Sequence, residues 1–148
     1  WNDIARLREM WPGTFMVKSV LSATDAKLAV DHGADGIVVS NHGGRAMDSA
    51  PATIEVLPEI VDAVGDRTTV ILDSGIRRGS DIVKALAIGA DMVLLGRATL
   101  YGIATAGQAG AEKAIDILAT EFEKTMGYLG CRRIDELDRG VFSQPKFV

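Results

Sequence analysis

The sequence predicts an α/β fold: the C-terminal half, strands 5 to 8, of a (βα)8 TIM barrel. Short apolar runs of strand length alternate with segments of helical periodicity, which is the pattern of parallel α/β folds. One helix-to-strand unit is also repeated, because residues 25–35 recur in similar form at residues 81–91 and each copy leads into an apolar run. The repeat favours a barrel over a doubly wound sheet, although periodicity alone permits both.

The N-terminal elements alternate as this fold requires. Residues 3–10 carry apolar side chains at helical spacing and are followed by a Pro-Gly pair, so they are predicted to form a helix. The apolar run 15–20 is too short for a helix and is the first predicted strand. Serine and aspartate caps precede a helix over 25–32. The second strand is the run 36–40, which is rich in β-branched residues.

The rest of the chain continues the alternation after a polar, glycine-rich loop over residues 41–51. On the same grounds we predict helices over 53–64, 80–88 and 109–129, and strands over 69–73 and 92–96. The charged tail from Arg132 has no apolar periodicity and is assigned no element.

Four strands are half of an eight-stranded barrel, which usually takes about 250 residues. This chain has 148 residues and begins with Trp1 rather than Met. A half-barrel by itself would expose two unpaired apolar strand edges. We therefore expect residues 1–148 to be the C-terminal half of a single barrel domain whose N-terminal half is absent from this chain.

Composition restricts the class of protein. The net charge of −4 and the isoelectric point of about 5.1 provide no basic surface for a nucleic acid. A single cysteine, Cys131, excludes an intrachain disulfide framework. One cysteine and two histidines are also too few for a Cys- or His-rich metal site. Neither a signal peptide nor an apolar run long enough to span a bilayer is present, so the composition predicts a cytoplasmic protein.

Glycines and arginines follow the last two predicted strands, where barrels of this kind often bind a phosphate group. Glycine lets backbone amides approach an anion closely, and arginine can clamp it. The sequence therefore predicts a phosphate site formed by four residues: Gly75, Arg77, Gly96 and Arg97. The alternative is a set of structural ion pairs between Asp73 and the arginines.

His42 and Arg45 lie three residues apart in the glycine-rich loop, so both can point toward one pocket. Histidine readily exchanges a proton near neutral pH, and a guanidinium can hold a carboxylate through two parallel hydrogen bonds. The alternative is an ordinary surface loop. By contrast, His32 lies at the end of a predicted helix and is assigned a helix-terminal role. The large aromatic residues are assigned to packing: Trp1, Trp11, Tyr101 and Tyr128.

Lys18 lies within an apolar strand, where a charge is costly to bury unless it meets an anion or an electron-rich ring. A buried lysine can also act as a Schiff-base nucleophile, because burial lowers its pKa. The spacing of residues does not choose between these two roles.

Three motifs together resemble one known family. They are Ser40-Asn41-His42-Gly43-Gly44-Arg45, Asp73-Ser74-Gly75-Ile76-Arg77-Arg78-Gly79, and Leu95-Gly96-Arg97 with Tyr101-Gly102. In order and spacing they are similar to the FMN-dependent 2-hydroxy acid oxidases and dehydrogenases, which include glycolate oxidase, L-lactate dehydrogenase, flavocytochrome b2 and (S)-mandelate dehydrogenase. The resemblance covers residues 17–130 and implies an FMN-binding barrel.

The resemblance implies oxidation of a mandelate- or lactate-like L-2-hydroxy acid to the 2-oxo acid. His42 matches the base that removes a substrate proton as two electrons pass to the flavin, and Arg45 matches the arginine that holds the substrate carboxylate. Lys18 matches a lysine near flavin N1 and the C2 carbonyl, which disfavours the Schiff base. The other implied FMN contacts are Ser40 on the flavin, Asp73 near the ribityl chain, and Gly75, Arg77, Gly96 and Arg97 at the phosphate.

The resemblance also implies partners beyond this chain. The family's barrel has an N-terminal half with further flavin and substrate contacts, so this chain alone is expected to be inactive. A homotetramer is implied, with oxygen, a quinone or a cytochrome as electron acceptor. Some members attach peripherally to the cytoplasmic membrane through a segment that this chain lacks.

Two alternative functions remain open. One is another phosphate-binding barrel enzyme, such as a type 2 isopentenyl diphosphate isomerase or an inosine monophosphate dehydrogenase, which is not expected to carry the His42–Arg45 pair in this context. The other is a non-catalytic half-barrel that serves in assembly.

Overall fold

The computed structural model describes residues 1–142 and contains one four-stranded parallel sheet in the order β1-β2-β3-β4. The strands are β1 (Met16–Val20), β2 (Gly36–Val39), β3 (Thr69–Leu72) and β4 (Met92–Val93). The helices are α1 (Asn2–Met10), α2 (Ala23–Asp31), α3 (Thr53–Val64), α4 (Gly79–Ile88) and α5 (Arg97–Leu129), with short 3₁₀ turns at His42–Gly44, Ile134–Glu136 and Arg139–Val141. Each strand is paired with the next strand in sequence, and a helix connects each pair, as in a barrel.

Three boundaries differ from the predicted ones by more than one residue. Helix α2 begins at Ala23 because the Ser22 hydroxyl accepts a hydrogen bond from the Asp25 amide at 3.1 Å and caps the helix there. Strand β4 ends at Val93, where its pairing with β3 stops, and the chain enters α5 directly after Gly96. The predicted helix over 109–129 is the second part of α5, whose helical backbone already begins at Arg97.

Helix α5 is broken at Ala106 and Gly107, where Gly107 has a φ of +56° that favours glycine. The break folds the first segment back on the second, so that Gly102 and Gly110 bring their backbones into contact. A Cβ atom at either glycine would overlap the other's carbonyl group. This close contact sets the position of the first segment of α5.

The core lies on one face of the sheet. Outward side chains of β2 and β3 pack against apolar residues of α2, α3 and α4, and the fully buried members include Ile37, Val39, Leu57, Ile60, Val64, Val70 and Leu72. This layer is the helix-covered outer face expected of a barrel segment.

The opposite face of the sheet carries a row of residues in register across the four strands. Lys18 pairs with Val38, Val38 with Ile71, and Ile71 with Met92. These residues lie outside the helix-packed core, and Met92 is 53% exposed. In a closed barrel this face is the interior.

The repeated sequence unit performs the same structural task twice. Asp35 accepts a hydrogen bond from the Phe15 amide at 2.8 Å and returns one from its own amide to the Phe15 carbonyl at 2.9 Å. Asp91 exchanges the same two hydrogen bonds with Val70, at 2.7 and 2.8 Å. Each aspartate thus sets the register at the start of two neighbouring strands.

Helix α5 is held against α4 by a second apolar cluster and by a charged contact. Val83 and Ala87 of α4 pack with Met126 of α5. The Glu121 carboxylate accepts hydrogen bonds from the Gly79 amide at 2.9 Å and from Arg78 Nε at 3.0 Å. Within residues 1–142, no helix is both long enough and apolar enough to cross a membrane.

Candidate active site

The carboxyl ends of the strands open on one cleft of about 940 Å³. All of the predicted site residues except Ser40 line it: Lys18, His42, Arg45, Asp73, Gly75, Arg77, Gly96 and Arg97. Ser40 is fully buried directly beside the cleft. Residues that are distant in sequence are brought together here because parallel strands end at the same edge of their sheet.

Lys18 and Asp73 form an ion pair across the sheet at the base of the cleft. The Lys18 ammonium also donates a hydrogen bond to Ser40 Oγ at 3.0 Å. The Asp73 side chain is only 16% exposed, whereas that of Lys18 is 44% exposed toward the cleft. The lysine charge is therefore held in place by Asp73 and Ser40 while part of it faces the ligand space.

Asp73 is ionised in this network. Burial alone would raise the pKa of its carboxyl group, but hydrogen bonds from Lys18, Ser40 and Ser74, with the charge of Lys18, outweigh that effect and hold the pKa below its ordinary value. Such a carboxyl group stabilises the fold fully above its unfolded pKa of about 4, and the contribution is lost as the pH falls through the folded pKa.

We expect Asp73→Asn to lower the stability of the full-length protein by about 1 kcal/mol at pH 7. Its difference from the wild type should shrink below about pH 4, because the Asp73 carboxyl group is protonated first in the unfolded chain and then, at lower pH, in the folded protein. Thermal unfolding of both proteins at pH 7, 5 and 3.5 measures this. A difference that stays constant or grows in acid would contradict it.

The loop that carries His42 has an unusual backbone. His42 has a φ of +56°, in the left-handed region that few non-glycine residues adopt, and Gly43 follows at +68°. The His42 amide donates to Ser40 Oγ at 3.1 Å. The Gly43 amide is shared between Asn41 Oδ1 and Ser74 Oγ, each at 3.0 Å. These hydrogen bonds maintain the turn that directs the loop over the cleft.

The side chains of His42 and Arg45 are exposed and line the cleft. Among residues 1–142, neither the imidazole of His42 nor the guanidinium of Arg45 has a hydrogen-bonding or ion-pair partner. Both groups are therefore available to a ligand in the cleft.

The predicted phosphate site lies where β4 leads into α5. The first amides of α5 have no partner within the helix, and such a helix end attracts an anion. Gly75 and Gly96 leave their backbones open, since no atom lies within 4 Å of the point where a Cβ atom would stand. Arg97 donates to the Gly43 carbonyl at 3.0 Å, which places its guanidinium between this helix end and the His42 loop.

The alternative of structural ion pairs between Asp73 and the arginines does not match these contacts. Asp73 pairs with Lys18, and neither Arg77 nor Arg97 forms an ion pair with the described residues. The arginine that does form one nearby is Arg78, whose partner is Glu121.

Sequence reasoning missed three features of the cleft. Thr53 is buried and donates its hydroxyl proton to the carbonyls of Asp73 and Ser74, at 2.7 and 3.1 Å. Ser74 joins Asp73 to the His42 loop. The first segment of α5 provides an apolar wall formed by Leu100, Tyr101 and Ile103. The only sequence signal for Ser74 was its position just after a strand, and Thr53, which begins α3, had no such signal.

Among the aromatic residues of the described chain, the packing assignment is wrong for Tyr101 and Tyr128. Tyr101 is 64% exposed and lines the cleft, and Tyr128 is 90% exposed. Trp1 and Trp11 are 43% and 56% exposed. The helix-terminal role of His32 is confirmed, because it ends α2 and its Nδ1 lies 2.7 Å from the Leu28 carbonyl. The described residues contain no group of three side chains suited to hold a metal ion.

Comparison with known proteins identifies the family. The model of the FMN-dependent dehydrogenase family matches residues 1–144. The chain belongs to this family. It is 51% identical over 139 residues to a peroxisomal (S)-2-hydroxyacid oxidase of Arabidopsis thaliana and 51% identical over 146 residues to an L-lactate oxidase of Lactobacillus jensenii. It is 53% identical over 137 residues to a pre-mycofactocin synthase of Mycolicibacterium smegmatis.

The chain is shorter than these relatives. The match to the Arabidopsis oxidase covers 94% of this chain and 38% of the oxidase. The match to the lactate oxidase covers 99% and 36%, and the match to the pre-mycofactocin synthase covers 93% and 34%, in the same order. The solved structure of a monotopic membrane (S)-mandelate dehydrogenase is similar, with a TM-score of 0.93 at 45% identity over 97% of this chain and 38% of that one. The predicted α/β class and partial TIM barrel are therefore confirmed.

The cleft of this family member fits FMN, the cofactor of the family. Its volume suits a ligand of that size. One end has Arg77, Arg97 and the start of α5, whose first amides could hold a dianionic phosphate, and its base holds the Lys18 ammonium. The apolar first segment of α5 provides the remaining wall.

Proposed function

We propose that this chain is the C-terminal half, strands 5 to 8, of a (βα)8 flavoenzyme that oxidises an L-2-hydroxy acid to the 2-oxo acid. The observation that carries the proposal is that His42 and Arg45, both without partners among residues 1–142, face the same cleft as the predicted phosphate site. A base, a carboxylate-binding group and a phosphate-binding end then lie in one continuous space.

The residues divide the work by their chemistry. Arg45 holds the substrate carboxylate through the two parallel donors of its guanidinium. His42 accepts the proton that the substrate releases. FMN, when bound, would accept the two electrons together with the second of the two protons that the oxidation removes from the substrate. Lys18, fixed by Asp73 and Ser40, provides a positive charge that stabilises negative charge on the reduced flavin.

We further propose that an N-terminal set of four strands completes the barrel in the full-length protein. The inner face of the sheet supports this, since Met92 is 53% exposed and the row from Lys18 to Met92 lies outside the helix-packed core of the described residues. Strands β1 and β4 also have one unpaired edge each in the described chain. The full-length protein is proposed to be a homotetramer in the cytoplasm or on the cytoplasmic membrane, with oxygen, a quinone or a cytochrome as acceptor.

The first experiment records the visible spectrum of the full-length protein and adds L-lactate, glycolate and (S)-mandelate separately without oxygen. Bleaching of the flavin by one of them is expected and would identify cofactor, reaction and substrate class together. A protein that binds no flavin would contradict the proposal.

A second candidate keeps the cofactor but changes the substrate. A relative with 53% identity is named a pre-mycofactocin synthase, so similarity at this level does not restrict the substrate to simple 2-hydroxy acids. Bound flavin that none of the three acids bleaches would favour this candidate. The non-catalytic half-barrel is disfavoured because His42 and Arg45 are both present at the cleft. The same pair disfavours the isopentenyl diphosphate isomerase and inosine monophosphate dehydrogenase alternatives.

The contact between Gly102 and Gly110 yields a prediction for cofactor binding. Gly110→Ala should displace the first segment of α5 and its amides, because the added Cβ meets the Gly102 carbonyl. We expect FMN to bind about tenfold more weakly, the loss typical of one hydrogen bond to a charged group. Riboflavin, which lacks the phosphate, should be little affected.

Flavin titration of the apoprotein measures both dissociation constants. Gly127→Ala in the same helix is the matched control, since open space surrounds that glycine. Equal weakening of FMN and riboflavin by Gly110→Ala would contradict a role at the phosphate.

A further inference from the structure

Ser74 occupies a backbone conformation that does not suit a serine. It follows β3 with a φ of +71°, where a residue with a Cβ is strained and glycine is favoured. Non-glycine residues held in such conformations concentrate at functional sites. The serine hydroxyl is the group that glycine would lack, so a role for serine at this position depends on the contacts of that hydroxyl.

The Ser74 hydroxyl makes two hydrogen bonds that join separate parts of the cleft. It donates its proton to Asp73 Oδ1 at 2.6 Å and accepts from the Gly43 amide at 3.0 Å. The directions are set by chemistry, because an ionised carboxylate only accepts and an amide only donates. Asp73 is thereby linked to the peptide group that directly follows His42.

The peptide group on the other side of His42 is held in a corresponding way. The His42 amide donates to Ser40 Oγ at 3.1 Å, and Ser40 Oγ also accepts from the Lys18 ammonium at 3.0 Å. The two hydroxyls thus connect the peptide groups flanking His42 to the two members of the Lys18–Asp73 ion pair. His42 itself lies at a φ of +56°, a conformation that needs such support.

We infer that Ser74 is a positioning residue that holds the His42 loop against the Lys18–Asp73 pair. The proposal rests on the proposed role of His42 as the base. Its consequence is that His42, the proposed base, and the Lys18 ammonium, proposed to stabilise the reduced flavin, are held together as one rigid unit. The strained backbone at Ser74 is then retained because it places the hydroxyl between Asp73 and the Gly43 amide.

Ser74→Gly tests the hydroxyl without disturbing the backbone, because glycine adopts the left-handed conformation freely. Ser19→Gly is the matched control. Ser19 has a φ of +70° and is exposed at the irregularity in β1, and its hydroxyl makes no hydrogen bond with the described residues. Both substitutions relieve the same strain, and in Ser74→Gly this relief offsets the loss of two hydrogen bonds, so neither is expected to lower the melting temperature by several degrees.

The experiment uses the full-length holoprotein with two readouts. Amide hydrogen exchange over residues 41–45 should become about tenfold faster in Ser74→Gly and stay unchanged in Ser19→Gly, since the Gly43 amide loses one of its two acceptors. In turnover of a 2-hydroxy acid, kcat should fall about tenfold while KM stays within twofold, because Arg45 is not part of this network.

Unchanged exchange over residues 41–45 in Ser74→Gly would overturn the inference, whatever the kinetics. A melting temperature lowered by several degrees with kcat unchanged would overturn it too, since Ser74 would then serve stability alone. Faster exchange in a protein whose flavin no 2-hydroxy acid reduces would instead retain the coupling and contradict the proposed function.

Discussion

Replacement of His42 with Gln is expected to lower the rate of flavin reduction by substrate by about three orders of magnitude, within the range ascribed to a general base. Glutamine is close to histidine in size and retains a hydrogen-bonding end, but it cannot accept the proton that the substrate must release. FMN should stay bound, because the phosphate and flavin contacts proposed here come from other residues. Anaerobic stopped-flow measurement of flavin bleaching provides the rate, and the resting visible spectrum provides the FMN content.

His32→Gln is the matched control for this substitution. His32 ends α2, away from the cleft, with its Nδ1 against the Leu28 carbonyl. The same chemical change there should leave the rate of reduction unaltered. Reduction of the His42→Gln protein at a near wild-type rate would remove His42 as the base.

Replacement of Arg45 with Lys is expected to weaken binding of the 2-hydroxy acid by ten- to a hundredfold while FMN binding stays the same. The positive charge is conserved, but an ammonium cannot form the two parallel hydrogen bonds that a guanidinium makes to a carboxylate. Loss of one charge-assisted hydrogen bond accounts for an effect of about this size. The exposed, unpaired side chain of Arg45 means that the substitution leaves no buried partner behind among residues 1–142.

Substrate affinity from steady-state or reduction kinetics and FMN affinity from titration measure the two effects separately. Arg67→Lys is a suitable control, because Arg67 forms an exposed ion pair with Asp31 and does not line the cleft. Loss of FMN with substrate affinity unchanged would overturn the assignment of Arg45 to the carboxylate.

The amino-acid sequence was sufficient for the four strands, for helices α1 to α4 and for most of the cleft residues. Apolar runs marked all four strands because the strands of parallel α/β folds are typically covered on both faces and read as near-continuous apolar segments. The chemistry-bearing residues could be found because ligands of parallel α/β folds bind at the ends of strands. Asp35 and Asp91 repeat because each starts an equivalent strand pair.

The tertiary structure alone decided how these residues act on one another. Asp73 is partnered by Lys18, 55 positions away, and the Gly43 amide by Ser74, 31 positions away, so no local pattern could reveal either contact. The sequence pattern did not predict that α5 begins at Arg97, for a related reason. Its apolar residues Leu100, Tyr101 and Ile103 face the cleft rather than the core, and its position depends on backbone contact between Gly102 and Gly110. Periodicity reports which face of an element is buried locally, whereas long-range hydrogen bonds and close backbone contacts exist only once the elements have packed.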